Sequence, residues 1–318
     1  MAALSLPRGL IVDLVTPLKH NGDIDGRCLG RQLDRILPNV QAVLIAGPSM
    51  GEGGNLTAGQ REELMEKTLV VVRGQVPVLV WITQDTEQKT RETLGLLSKR
   101  LKARKYKGQV CWLDTPLCYH SNRGLVSHYR NLTSLTREAW LLHNDPGLIN
   151  QLARSFKRNN IRTAILKEIL GIEEIQGLLY LGSLDRASNY QKVTRVRPDF
   201  KIYDGDESRF LTHPSLSGVV SAGANLSPKA WSKITEASLG LSDNREDYPD
   251  RLQQIWKTGR YPQSLLDLYG SQAVQVIKQV LSEAGIIESP TCFMKTGEVG
   301  EKVKSIIEEM KNYGDYTK

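Results

Sequence analysis

What most constrains this chain is an alternation. From residue 9 to 223, short apolar runs and helical patterns succeed each other. The runs GLIVDLV (9–15), AVLIAG (42–47), VPVLVWI (76–82), QVCWLD (109–114), AWLLH (139–143), IRTAILK (161–167), DFKIYD (199–204) and LSGVVSAG (216–223) read as strands. Residues 25–37 carry Leu29, Leu33, Ile36 and Leu37 at helical spacing, and further helices are predicted at 58–73, 86–102, 124–136, 149–157 and 171–181, with a short one after 204. Eight β units, each followed by a helix, predict an α/β fold of the (β/α)8 TIM-barrel kind; a doubly wound sheet usually has fewer strands. The rest is helical by pattern, at 227–236, 246–258, 262–285 and 296–313, punctuated by Gly259, Pro262, Gly285 and Pro290. The expected organisation is therefore a barrel over 1–225 and a C-terminal helical extension over 226–318 packed beside it.

Composition narrows the function classes. With 40% hydrophobic residues the chain can bury a large core, yet no stretch approaches 18 uninterrupted apolar residues, so no membrane partner is expected. The start, MAALSLPRGLIVDLVTP, lacks the pattern of a secretory signal. Cys28, Cys111, Cys118 and Cys292 are scattered without metal-ligand spacing, which predicts reduced thiols and a cytoplasmic location. The net charge of +7 raises the question of nucleic acid. The densest basic run, SKRLKARKYKG (98–108), reads instead as the solvated end of a helix, so no nucleic-acid partner is expected. A positive protein also attracts small acidic substrates.

In a barrel, chemistry gathers at the C-terminal ends of the strands. Those ends carry Thr16-Pro17, GPSMGEG (47–53), DTPLCY (114–119), HNDPG (143–147), Lys167-Glu168, DGDE (204–207) and SAGAN (221–225). Lys167, at the tip of an apolar run, is either a surface charge or a cavity amine. Burial would lower its pKa, and a neutral amine attacks a ketone to form a Schiff base. The glycine-rich turn at Ser49, Met50 and Gly51 offers backbone N–H groups to a carboxylate, or is an ordinary βα turn; it lacks the spacing of a nucleotide-binding P-loop. His143 emerges from a buried strand, as a general acid–base or as a core histidine. His20, His120, His128 and His213 share no ligand spacing, so no metal site is inferred.

Seven of these segments, in order, resemble the dihydrodipicolinate synthase and N-acetylneuraminate lyase superfamily of class I, pyruvate-dependent aldolases: GLIVDLVTPLKHNGDID, GPSMGEGGNLTAGQREEL, DTPLCYHSNRGLVSHY, LLHNDPG, AILKE, YDGDE and GVVSAGANLSP. The resemblance implies that Lys167 takes the Schiff-base position and condenses with pyruvate or another 2-keto acid. It further implies that Ser49 and Met50 hold the substrate carboxylate, that Val220 and Ser221 line the imine, that no cofactor or metal is needed, and that the chain forms a homodimer or homotetramer. Asp206 falls in the YDGDE segment and is a candidate for the substrate pocket. His143 stands where the family has its relay tyrosine, Met50 where it has a threonine, and Leu148 where the synthase has an arginine for its second substrate. Tyr119 lies one place beyond the family's second tyrosine and is a candidate replacement. These departures argue against 4-hydroxy-tetrahydrodipicolinate synthesis itself. They leave a Schiff-base lyase or aldolase acting on a 2-keto acid, with catalytic Lys167, His143 and Ser49, or a catalytically reduced barrel that binds a keto acid or a protein partner.

Overall fold

A computed structural model describes residues 6–151, 158–214, 217–241, 248–294 and 297–316. Eight parallel strands form a closed barrel: β1 (Gly9–Asp13), β2 (Ala42–Ile45), β3 (Val78–Trp81), β4 (Val110–Asp114), β5 (Ala139–Asn144), β6 (Ile175–Tyr180), β7 (Lys201–Asp204) and β8 (Gly218–Ser221). The seam joins β1 to β8, with Ile11 opposite Val220 and Val12 opposite Ser221. The helices of the wall are α1 (Gly26–Ile36), α2 (Ala58–Val72), α3 (Glu87–Arg104), α4 (Leu125–Thr133), α5 (Pro146–Gln151), α6 (Thr163–Ile169), α7 (Leu184–Thr194), α8 (Glu207–Thr212) and α9 (Pro228–Leu239). Beyond them lie α10 (Tyr248–Tyr269), α11 (Ala273–Glu283) and α12 (Gly300–Tyr313).

The strands are buried on both faces, which is why they read as continuous apolar runs. Their outward side chains pack under the helices, while Ile11, Leu44, Leu79, Leu113, Leu141, Leu179, Tyr203 and Val220 fill the interior. Side chains from polar loop residues start the helices: Asp25 caps α1, Thr57 and Gln60 form a reciprocal box at α2, and Thr86 caps α3.

The sixth unit differs from the sequence expectation. Residues 161–167 are not a strand; Thr163–Ile169 is helix α6, and the sixth strand, Ile175–Tyr180, falls inside the stretch expected to be helical. A short apolar run fits either period. What decides is packing: Leu166 and Ile169 are both buried at helical spacing, whereas IQGLLY is buried along almost its whole length. Gly177 has room in β6 only for hydrogen, since a Cβ there would come within 2.7 Å of the Lys201 carbonyl oxygen. Arg197 fixes the start of the strand by donating to the carbonyls of Leu170, Ile172, Glu173 and Ile175.

A second difference lies in the C-terminal region. One helix, α10, runs through both Gly259 and Pro262, where separate helices were expected. Tyr261 and Leu265 are buried there in one cluster with α11 and α12, and that packing outweighs the hydrogen bond lost at proline. Of the helix expected at 149–157, Gln151 ends α5 and residues 152–157 lie outside the described residues.

The C-terminal helices are fastened to the barrel by a buried ion pair. Lys278 on α11 binds the Glu52 carboxylate in the turn after β2, and also the Thr291 carbonyl at 2.9 Å. The other Glu52 oxygen accepts the Phe293 N–H at 2.7 Å. The Lys278 side chain is fully buried and that of Glu52 nearly so. Burial lowers the lysine pKa, and the adjacent Glu52 charge opposes that shift. Removing one partner strands a buried charge. Glu52→Gln is therefore expected to destabilise the protein by roughly 3–5 kcal/mol in chemical denaturation, and Glu52→Gln/Lys278→Met by clearly less than the sum of the single changes.

Candidate active site at the barrel mouth

The strand ends place a few polar groups among apolar interior side chains. On β1 the inward series Gly9, Ile11 ends in Asp13, a partly buried carboxylate. Its Oδ2 lies 3.4 Å from the Met50 N–H, which donates to it, and its Oδ1 is buried without a hydrogen-bond partner. Burial first, and then the nearby Glu207 charge, raise the Asp13 pKa from 3.8 to about 7; the Met50 bond acts the other way. Asp13 lies directly against the turn, since a Cβ on Gly47 would come within 2.3 Å of Oδ1. The turn is held from below by Thr16 Oγ1, which donates to the Gly51 carbonyl at 2.8 Å.

Across the barrel, β5 presents His143. Its Nδ1 is 2.7 Å from Thr115 Oγ1, which also accepts the Trp81 indole N–H at 2.9 Å. This chain from β3 through the end of β4 to β5 fixes the orientation of the imidazole. The ring is buried, and loss of solvation lowers its pKa to about 4, with Asp145 pulling weakly upward. At neutral pH it is a neutral imidazole.

The sixth strand carries no amine. Its inward positions are Gly177 and Leu179, followed by Leu181 beyond the strand, and Leu179 and Leu181 belong to the interior cluster. Lys167 is exposed on α6, eight residues before β6 begins, so the strand-tip amine expected from the sequence is corrected. The AILKE segment was matched by its letters, but Lys167 points away from the interior because it belongs to an amphipathic helix with Leu166 and Ile169 as its buried face.

The other candidates divide between the mouth and its surroundings. Val220 lines the interior, as does His143. Met50 contributes its N–H, but its side chain packs in the C-terminal cluster. The Ser49 side chain is exposed and borders a cleft of about 370 Å³ between the turn and the C-terminal helices. Ser221 faces outward, where its hydroxyl binds Glu207. Asp206 caps α8 by accepting the Arg209 N–H at 3.1 Å. Tyr119 is turned outside the barrel, donating to Asp114 Oδ2 at 2.7 Å. Ser49, Ser221, Asp206 and Tyr119 therefore do not converge on the axis. Asp13, Trp81 and Thr115 are not among the candidates that the sequence offers; the signal for Asp13 is an acidic residue closing an apolar strand in GLIVD.

Comparison with known proteins matches the chain to one family. A family model described as the dihydrodipicolinate synthetase family covers residues 6–310. The chain belongs to that family. The family is one of aldolases and lyases, and this chain is an enzyme of the family's class. It is 27% identical over 308 residues to a 4-hydroxy-tetrahydrodipicolinate synthase of Thermotoga neapolitana, covering 88% of this chain and 99% of the relative. It is 27% identical over 257 residues to one from Ectopseudomonas mendocina, covering 78% and 82%. Among solved structures, a monomeric dihydrodipicolinate synthase variant superposes with a TM-score of 0.81 at 21% identity, covering 99% of both chains. The dihydrodipicolinate synthase of Thermotoga maritima superposes with a TM-score of 0.78 at 21% identity, covering 98% and 99%. Within the dihydrodipicolinate synthetase family, this member presents leucines on its sixth strand and a carboxylate on its first. No described helix is long and apolar enough to cross a membrane.

The Asp13 environment generates a pH test. An unfolded Asp13 ionises near 3.8, whereas the folded one holds its proton to about 7. Between those values the native state binds the extra proton, so stability falls as pH rises. Asp13→Asn removes that slope. The variant is expected to gain on the wild type progressively from pH 4 to pH 7 and to hold its gain above, by up to a few kcal/mol, in denaturant melts across that range.

Proposed function

We propose that the chain acts as a lyase-family enzyme on a small 2-keto acid such as pyruvate, using proton transfer at the barrel mouth and forming no imine on its sixth strand. The observation that carries this reading is Leu179 on the interior side of β6, with Leu181 just beyond the strand packed against the same cluster. An imine needs a neutral primary amine against the carbonyl carbon. Lys278 is the buried lysine among the described residues, and it is held by Glu52 and the Thr291 carbonyl.

The groups that remain suit enolisation. A base removes a proton from the carbon beside the carbonyl, and the C–H electrons pass into the new C=C bond as the carbonyl π electrons move to oxygen. The enolate so formed is the nucleophile of an aldol addition and the product of its reversal. Asp13, with a pKa near neutrality, is matched to the base role. His143, steered by Thr115, exchanges a proton at the substrate oxygen.

A second reading is a catalytically reduced barrel that binds a keto acid or a protein partner. Its protein-partner form is favoured by the position of Asp13 against the turn, where an ionised carboxylate repels an anionic ligand. Synthesis of 4-hydroxy-tetrahydrodipicolinate, the activity named for the relatives, draws less support, because Leu148 packs on the barrel's apolar core where that reaction calls for an arginine. We further propose a homodimer or homotetramer, measured by light scattering, and a reducing cytoplasmic setting, supported by four buried cysteine thiols.

Two measurements test the reading. Incubation with pyruvate and borohydride is expected to leave every lysine peptide unmodified, and a reduced adduct on any lysine sinks the imine-free mechanism. Deuterium is expected to enter the pyruvate methyl group faster than in buffer, and Asp13→Asn and His143→Gln are each expected to slow this roughly 10²–10⁴-fold. Pyruvate binding without any exchange would instead support the reduced barrel.

A further inference from the structure

We propose that Glu87, His120 and His128 form a binding site for a divalent transition metal of the zinc class, on the rim of the barrel outside the axis. The three residues are distant in sequence and are joined by the fold. Glu87 opens α3 after β3, His120 follows β4, and His128 lies on α4. One ligand-capable atom from each lies within 4.8 Å of the other two.

The hydrogen bonds around the two imidazoles leave each with one lone-pair nitrogen. Tyr119 has a single hydroxyl proton, and it goes to Asp114 Oδ2. The 3.0 Å contact between Tyr119 and His128 Nε2 must then be donated by the histidine. His128 Nδ1 is therefore the bare nitrogen. It is buried without a hydrogen-bond partner, and the Glu87 carboxylate stands 3.3 Å away. His120 Nδ1 donates to the Ser121 carbonyl at 2.6 Å, which leaves Nε2 bare. The rings stack with centroids 4.8 Å apart.

A lone pair facing a carboxylate is repulsive unless a proton or a metal ion lies between them. The His128 side chain is only 3% exposed, which disfavours a charged imidazolium. A metal satisfies both groups without charging the ring. The surrounding bonds also match what metal-binding histidines require: one ring N–H is held by a backbone carbonyl, and the other runs through a tyrosine to a carboxylate. Asp114 is itself fixed, accepting further bonds from Tyr129 at 2.8 Å and Thr83 at 2.6 Å. Two imidazoles and a carboxylate suit zinc, with a further position left for water. Bonds of about 2.0–2.1 Å require the ligands to close by roughly 1 Å. The Glu87 side chain, 45% exposed, has the freedom to do so.

A second cluster, Asp25, Cys28 and Glu288, supplies a control. There the donors are already used: Asp25 caps α1, and the Cys28 sulfur accepts from Arg31 and from the Glu288 N–H.

The test uses the full chain, stripped with chelator and desalted. Zn²⁺ titration is expected to give one tight site per chain, and Co²⁺ substitution the visible d–d absorption of a low-symmetry nitrogen–oxygen site. His120→Gln and Glu87→Gln, at positions that are not fully buried, are expected to weaken binding roughly 100-fold or more while circular dichroism stays unchanged. Tyr119→Phe is expected to weaken it about 10-fold. Cys28→Ser is expected to leave binding as it is. Absence of a tight site in the wild type, or unchanged binding in His120→Gln/Glu87→Gln, overturns the proposal. Loss of binding in Cys28→Ser alone does so too.

Discussion

The structure depends on closure of the sheet. β1 pairs with β2 on one side and β8 on the other, so every strand has two neighbours and no edge is left to protect. Closure also divides each strand into an inward and an outward set by simple alternation. Once that division is made, the character of the mouth follows from single positions. Asp13 and His143 fall inward and become the polar groups of the site, while Asp114 falls outward and becomes the acceptor of a hydrogen-bond network against α4.

The same constraint sets what the sixth and first strands bring to the mouth. The barrel needs apolar interior volume from β6, and Leu179 supplies it. A lysine at this level would supply an amine as well as volume; leucine supplies the volume alone. The carboxylate at Asp13 has the opposite consequence. It is costly in an apolar interior, and the pKa near 7 is the measure of that cost.

Most of the barrel was legible in the sequence because buried parallel strands and amphipathic helices have different periods. Seven of the eight strands lie where their apolar runs lie. The sixth was misplaced because ILKEIL and IQGLLY are both short apolar runs, and only packing tells them apart: Arg197 binding four carbonyls, and Gly177 against Lys201. That displacement of one strand moved the expected nucleophile from the interior to the surface. The C-terminal helices were misread for a related reason, since Gly259 and Pro262 break a helix in isolation but not under the packing of Tyr261 and Leu265.

Sequence by itself determined the eightfold βα repeat, the helical tail, the family, and the presence of His143 at a strand end, because these depend on local period and on residue order. Tertiary structure alone decided which side chains meet. It put Lys167 outside, set Asp13 against the turn at Met50, linked Trp81 and Thr115 to His143, and brought His120 and His128 to Glu87. The physical reason is that convergence depends on the facing of each strand and the helix that follows it. A shift of one residue in a strand, or of one element in the order, reverses which groups share a site.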